Sequence, residues 1–368
     1  ATRQHVTQNK TMVSLSEHDL CAYIPQHCDN FNHVNCATAV NKIAKFKSRN
    51  SKEALRALYP KIVAIMGDFV PQGISNLIWS FATLNIRPPP DVWGGLVQRS
   101  LELAHTYKSQ NISNTVWAVA TLGIRGEDDL IEKMIENAQG IIETFNPQET
   151  ANFMWGLTKL GKKVPPPLVH AVNRHGVTIA PDCTPQNVAN LLLAFAKMEI
   201  ELERPFMDAL TRRVENTINT WKSQHVSNSL WACAYLAEKQ DRIVKLLLGR
   251  VGPCASECNP QETSNILWTL GKMCIYDEHI VLALTRQCLE TCRDFNEQDI
   301  ANVVWAFATM QRVPQQELLD AMIGCAVQKS STFIAQDIAN FIWAMATMEK
   351  PLDSRLLAGF AARSLHIV

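Results

Sequence analysis

The stretch NPQETANFMW at residues 146–155 returns almost unchanged as NPQETSNILW at 259–268. A Pro-marked polar start followed by an apolar run, written twice in one chain, directs the reading to internal repeats before anything else. Its second Asn recurs at Asn76, Asn114, Asn152, Asn190, Asn228, Asn265, Asn302 and Asn340, in steps of 37 or 38 residues. Four residues before each stands a Gln: Gln72, Gln110, Gln148, Gln186, Gln224, Gln261, Gln298 and Gln336. Three residues after it stands a Trp, at 79, 117, 155, 231, 268, 305 and 343, with Leu193 in the one gap. Seven of the nine tryptophans therefore share one motif position, which chance does not produce. One step earlier, Thr38 centres a degenerate copy, FNHVNCATAVNKIAKF.

Each copy reads as two helices. In the copy at 146–160, Asn146 suits an N-cap, Pro147 the first helical position and Glu149 the reciprocal capping partner, so a helix starts here and stops near Gly161. Thr184-Pro185 and Asn296 with Asp299 offer the same start. A short loop follows, RPPP at 87–90 or VPPP at 164–167, and then a second apolar-periodic stretch such as PLVHAVNRHGV. No run of alternating β-branched residues bounded by turns recurs. One hairpin cannot bury its apolar face alone, whereas stacked hairpins can. The expected fold is all-α: an α-solenoid superhelix of about nine 38-residue helix-loop-helix repeats over residues 31–368, centred on 38, 76, 114, 152, 190, 228, 265, 302 and 340. Residues 1–30 are expected to form an N-terminal cap.

On a helical wheel Gln148, Asn152, Trp155 and Lys159 fall within a sector of about 60°. The Trp reads as an apolar anchor between neighbouring repeats whose ring N–H needs a partner. The Gln and Asn columns have two readings. They form a ladder that staples repeats together, or they face a groove and clamp a repeating ligand backbone. Two further positions on the strip vary. The residue after each Gln is Gly73, Asn111, Glu149, Asn187, His225, Glu262, Asp299 or Asp337. The residue seven after each Asn is Thr83, Thr121, Lys159, Lys197, Tyr235, Lys272, Thr309 or Thr347. A constant frame with changing polar side chains is how helical repeats read single-stranded RNA. Asn111, Glu149, Asn187, His225 and Tyr235 are then candidates for base contact, and Lys159, Lys197 and Lys272 for phosphate contact. Free variation at exposed positions explains the same columns.

Composition narrows the classes. The 368 residues are 47% apolar and 19% charged, which excludes a disordered chain. Lys plus Arg equals Asp plus Glu at 35 each, so the chain is not a strongly basic nucleic-acid binder. Lys42, Lys45, Lys47 and Arg49 begin a local basic stretch that reads as a phosphate patch or as a solvated helix face. No apolar run approaches the ~20 residues of a membrane span. Ala1 in place of Met fits a processed or trimmed chain. Eleven cysteines, several in apolar helical patterns, fit a reducing compartment. His18, Cys21, His27, Cys28, His33 and Cys36 crowd together without the paired spacings of a zinc module. No phosphate loop and no catalytic constellation stands out. The chain is expected to be non-catalytic, with no cofactor and no metal.

The period, the PQE-x-AN-x-x-W helix start and the Pro-rich loop resemble the octotricopeptide-repeat (OPR) family. The stretches NPQETANFMWGLTKLGKKVPPP, NISNTVWAVATLGIRG and FNEQDIANVVWAFATM carry the likeness across about residues 31–365. The resemblance implies an organellar RNA-binding solenoid that acts on messenger RNA, or on ribosomal RNA as an extra subunit of the mitochondrial ribosome. It implies the mitochondrial matrix, or alternatively the chloroplast stroma. Many relatives end in a RAP domain; none is expected here, because the chain stops after the last hairpin. Neutral charge fits a protein that meets RNA inside a ribonucleoprotein assembly with other proteins. The alternative is a scaffold that clamps an extended peptide, as armadillo-type Asn and Trp ladders do.

Overall fold

The computed structural model describes residues 2–47, 52–237 and 241–367. Among them lie twenty α-helices and no strand, so the fold is an all-α helical-repeat solenoid. Two compact units form, Ala1–Ile179 and Ala180–Val368. In the first unit the hairpins are α1 (Arg3–Ser14) with α2 (Glu17–His27), α3 (His33–Phe46) with α4 (Lys52–Ala64), α5 (Pro71–Leu84) with α6 (Pro90–Leu103), α7 (Ser109–Leu122) with α8 (Asp128–Ile141), and α9 (Pro147–Leu160) with α10 (Pro166–Ile179). In the second they are α11 (Pro185–Lys197) with α12 (Arg204–Thr217), α13 (Ser223–Leu236) with α14 (Arg242–Cys254), α15 (Pro260–Lys272) with α16 (Glu278–Thr291), α17 (Glu297–Thr309) with α18 (Gln316–Lys329), and α19 (Ala335–Thr347) with α20 (Ser354–Ile367). Within each unit the first helices pack side by side along their length, and the second helices form a looser outer row. Residues 3–27, which carry no copy of the motif, form a hairpin stacked on α3 and α4 in the same manner.

Local chemistry explains the helix bounds. Asn146 Oδ1 accepts from the Glu149 amide at 2.9 Å, and the Asn146 amide donates to Glu149 Oε2 at 3.0 Å. The same reciprocal box closes Thr184 with Asn187 and Asn296 with Asp299. Two of the four orphan amides of each helix start are satisfied this way. Gly161 ends α9 with φ +65°, a left-handed position that glycine adopts without strain.

Small residues let the first helices approach. A Cβ added at Gly156 would lie 3.1 Å from the Val116 backbone, and one at Gly271 would lie 2.9 Å from Ala306 Cα. The core beneath includes a column just before α3 and each later first helix: Phe31, Phe69, Tyr107, Phe145, Cys183, Trp221, Cys258, Phe295 and Phe333, all buried. These are the residues that staple a helix entry against its own apolar face.

A polar clasp closes most of the hairpins. Arg99 Nε donates to Phe69 O at 3.2 Å, Arg213 Nε to Cys183 O at 2.6 Å, Arg250 Nε to Trp221 O at 3.0 Å and Arg363 Nε to Phe333 O at 2.9 Å. Asn137 Nδ2 to Tyr107 O, His175 Nε2 to Phe145 O and Gln287 Nε2 to Cys258 O do the same. The donor changes identity while the accepted carbonyl does not, because any side chain with an N–H satisfies a buried carbonyl of this kind.

Candidate nucleic-acid interface

The solvent-facing strip of each first helix carries the Gln, the Asn, the Trp and the variable residue one turn beyond. Gln72, Gln110, Gln148, Gln186, Gln224, Gln261, Gln298 and Gln336 are all exposed. Asn76, Asn114, Asn152, Asn190, Asn228, Asn265, Asn302 and Asn340 are all half-buried. Among the described residues, no side-chain hydrogen bond joins these amides to each other or to loop backbone. Each repeat thus offers two amides whose donors and acceptors the fold itself does not consume.

The tryptophans stand beside them, half-buried and not enclosed. Trp79 and Trp117 have centroids 6.4 Å apart in the first unit. In the second, Trp231 stacks on Trp268 at 6.2 Å and Trp268 on Trp305 at 5.9 Å. Tyr235, which is 53% exposed, leans on Trp231 and Trp268. Trp343 is 47% exposed at the last repeat. The expected anchoring between neighbours is present, and it leaves the ring edges on the surface. The placement on the wheel beside Gln and Lys was the available sign of that exposure.

The lysines lie over these rings. Lys159 Nζ is 5.8 Å from the Trp155 ring, Lys197 Nζ is 5.4 Å from Trp231, and Lys272 Nζ is 5.6 Å from Tyr235. An exposed cation–π contact of this kind is worth about 0.5–1 kcal/mol, enough to orient a lysine.

The variable residue after each Gln has a different setting. Asn111 and Asn187 are buried, and their Oδ1 atoms accept from the amides of Lys108 and Thr184. Asn111 Nδ2 also donates to Ser75 Oγ of the preceding repeat at 3.2 Å. Glu149 and Glu262 close capping boxes, and the His225 ring accepts from the Lys222 amide. Burial holds the His225 imidazole below its usual range, with Lys222 acting in the same direction. Asp299 and Asp337 are buried, and burial pushes both carboxyls up. Ser264 Oγ donates to Asp299 Oδ1 at 2.7 Å across the repeat boundary. This column caps helices and links repeats. Those links were not legible, since the partners lie 35 or 36 residues apart.

In the N-terminal basic stretch, Lys42 Nζ donates to the Met12 and Leu15 carbonyls at 2.8 and 2.7 Å and also to Val13 O, which closes the C-terminal end of α1. Burial lowers its pKa. Lys45 and Lys47 are exposed. Arg49 lies outside the described residues. Among the described residues, no group of three or more His, Cys, Asp or Glu is placed to hold a metal, and no helix is long and apolar enough to cross a membrane.

A strip of amides, aromatic edges and cations repeated at one spacing suits a polymer ligand, and comparison with known proteins bears on its class. The family model of the RNA-editing substrate-binding complex 6 protein matches residues 124–353, more than half of the chain. The chain belongs to this family. The RNA-editing substrate-binding complex 6 family is thus the RNA-associated, helical group in which this repeat array falls. No curated protein sequence matches the chain. A chain from a homology model of the full-length AP-3 complex in an intermediate open conformation is similar over 98% of this chain and 78% of that one, at 9% identity and a TM-score of 0.30. A likeness that slight carries no argument.

Proposed function

We propose that this protein is a non-catalytic RNA-binding repeat protein that holds a single-stranded organellar transcript along the Gln–Asn–Trp strip, inside a ribonucleoprotein assembly. The observation that carries this reading is the pair of unengaged amides in each repeat, flanked by Lys159, Lys197 and Lys272 over aromatic rings. Amides can bond the sugar–phosphate backbone or base edges, and lysines supply the salt-dependent part of the affinity. Kinship with the octotricopeptide repeats, a mitochondrial location and a place among other proteins of the assembly belong to the same proposal. The family name favours a substrate of RNA editing over ribosomal RNA as the ligand.

The test is binding of a short labelled single-stranded RNA by the purified chain across a salt series. Reversing Lys159, Lys197 and Lys272 to Glu together removes three phosphate contacts, so the slope of log affinity against log salt falls by roughly 2, at about 0.7 per contact. Unchanged affinity and slope would remove the strip from the RNA site. Ultraviolet crosslinking in the organelle then identifies the transcript.

A peptide-clamping scaffold is the second reading. It draws support from a groove of about 400 Å³ between α1 and α3, walled by Val6, Val13 and Val34, each of them exposed.

A further inference from the structure

We propose that the pocket at the C-terminal ends of α7 and α9 is a nucleoside-phosphate site, with Arg125 and Lys159 gripping the phosphate. The proposal rests on the RNA reading above and adds to it a discrete site at one place on the strip. The pocket has a volume of about 540 Å³ between the last turns of α7 and α9 and the loop over residues 123–128. That lies inside the range of roughly 300–1,000 Å³ in which small-ligand sites fall.

An internal comparison singles out Arg125. Arg87, one 38-residue step earlier, spends its guanidinium on the end of α7: it donates to Leu122 O at 3.1 Å and to Gly123 O at 3.3 Å. Arg125 stands at the same place relative to Leu160 and Gly161, yet it makes no such bond and is exposed. The loops differ in their sequence. Arg87 is followed by three prolines, whereas Arg125 is followed by Gly126, at φ +98°, and Glu127. The guanidinium is therefore left at the wall of the cavity.

Neither neighbouring acid forms an ion pair with it. Glu127 Oε1 accepts from Trp93 Nε1 at 2.7 Å, and Asp128 pairs with Lys162 at 2.5 Å. Arg125 and Lys159 are then two cations without a carboxylate partner on one cavity, and a planar guanidinium recognises phosphate through two parallel bonds. Val119, Ile124, Ile131 and Leu160 supply an apolar wall for a base. The terminal carbonyls of α9, which no arginine occupies as Arg87 occupies those of α7, accept hydrogen bonds from an exocyclic amino group, and the C-terminal ends of both helices repel an anion. The two effects orient the ligand: the base points inward against the end of α9, and the phosphate stays at the Arg125–Lys159 side. Lys159 also lies on the strip, so a bound strand can turn one nucleotide into the pocket without leaving its track.

The experiment uses the full chain, fluorescence anisotropy with a labelled single-stranded RNA, and ligand-observed NMR with adenosine 5′-monophosphate. Arg125→Ala is expected to weaken RNA binding about tenfold, which is the loss of one charge-assisted contact. It should also lower the salt slope by about 0.7. Arg125→Lys restores the slope and only part of the affinity, because the fork is gone. Arg87→Ala leaves RNA affinity unchanged and lowers the unfolding midpoint. Free monophosphate that binds and is lost in Arg125→Ala marks a site open to loose nucleotide. Its failure to bind, with the RNA effect intact, marks a site that takes only a nucleotide of the strand. RNA binding that is indifferent to Arg125→Ala, with no monophosphate bound, overturns the proposal while the RNA reading stands. If no RNA binds at all, that reading fails and the monophosphate alone decides: bound and Arg125-sensitive keeps the pocket, unbound removes it.

Discussion

Gly156 and Gly94 are both helix-interior glycines, and the same change to Ala should move stability in opposite directions. Ala replaces Gly inside a helix with a gain of about 0.8–1 kcal/mol, since less backbone freedom is lost on folding. At Gly94 in α6 a Cβ meets nothing within 4 Å, so Gly94→Ala should show the whole gain. At Gly156 in α9 the Cβ would come 2.8 Å from Val116 Cγ1 and 3.1 Å from the Val116 carbonyl carbon and oxygen. A side chain can turn aside, but the α7 backbone cannot, and forced separation of packed helices costs about 1–3 kcal/mol. The net for Gly156→Ala is then a loss of up to about 2 kcal/mol, roughly 2 kcal/mol below Gly94→Ala. In a unit of this size each kcal/mol moves the melting point by about 2–4 °C. Far-ultraviolet circular dichroism follows the melts, and hydrogen exchange in α7 and α9 peptides localises the effect, as repeat arrays need not unfold in one step. If Gly156→Ala melted at or above Gly94→Ala, the close approach of the first helices would not be what requires glycine there.

Two further outcomes follow from buried groups. Burial, with Glu297 and Asp299 nearby, raises the Asp337 carboxyl above its unfolded range. The folded state then holds that proton more tightly, so this group's contribution to stability falls as pH rises through the window between the ordinary carboxylate range and the raised value. Asp337→Asn should raise the urea midpoint at pH 7 and remove part of the gain seen on acidification toward pH 4; an unchanged pH profile would refute it. Among the thiols, Cys274 is exposed, while burial pushes Cys36, Cys183 and Cys233 up to about 12. Iodoacetamide followed by peptide mass spectrometry should label Cys274 first and those three only after unfolding.

Much of the first-helix layer was legible because its signals are local. Asn146, Pro147, Glu149 and Gly161 mark the two ends of α9 through bonds spanning three or four residues, and those bonds form as the spacing requires. The exposed strip was legible as well, since the positions of Gln148 and Lys159 on one face follow from helical geometry alone. The setting of the variable column was not. Asn111 looks like a free amide in sequence, and it is consumed by Lys108 and by Ser75 of the previous repeat. The hairpin clasp escaped for a related reason: Arg, Asn, His and Gln share one task, bonding a loop carbonyl about 30 residues earlier, and residue identity hides the equivalence. The α1–α2 pair carries no copy of the motif, so only packing marks it as a hairpin like the rest.

The sequence by itself determined the period, the two-helix unit and the face on which Gln, Asn, Trp and Lys stand, because capping chemistry and the 3.6-residue turn act within a few residues of each other. Only the tertiary structure decided which of those polar groups are still available. A hydrogen bond between repeats joins atoms that the chain separates by a whole period, and exposure depends on what the next helix covers. That is why the amides of the Gln and Asn columns and the guanidinium of Arg125 could be counted in the sequence, yet recognised as unspent only in the fold.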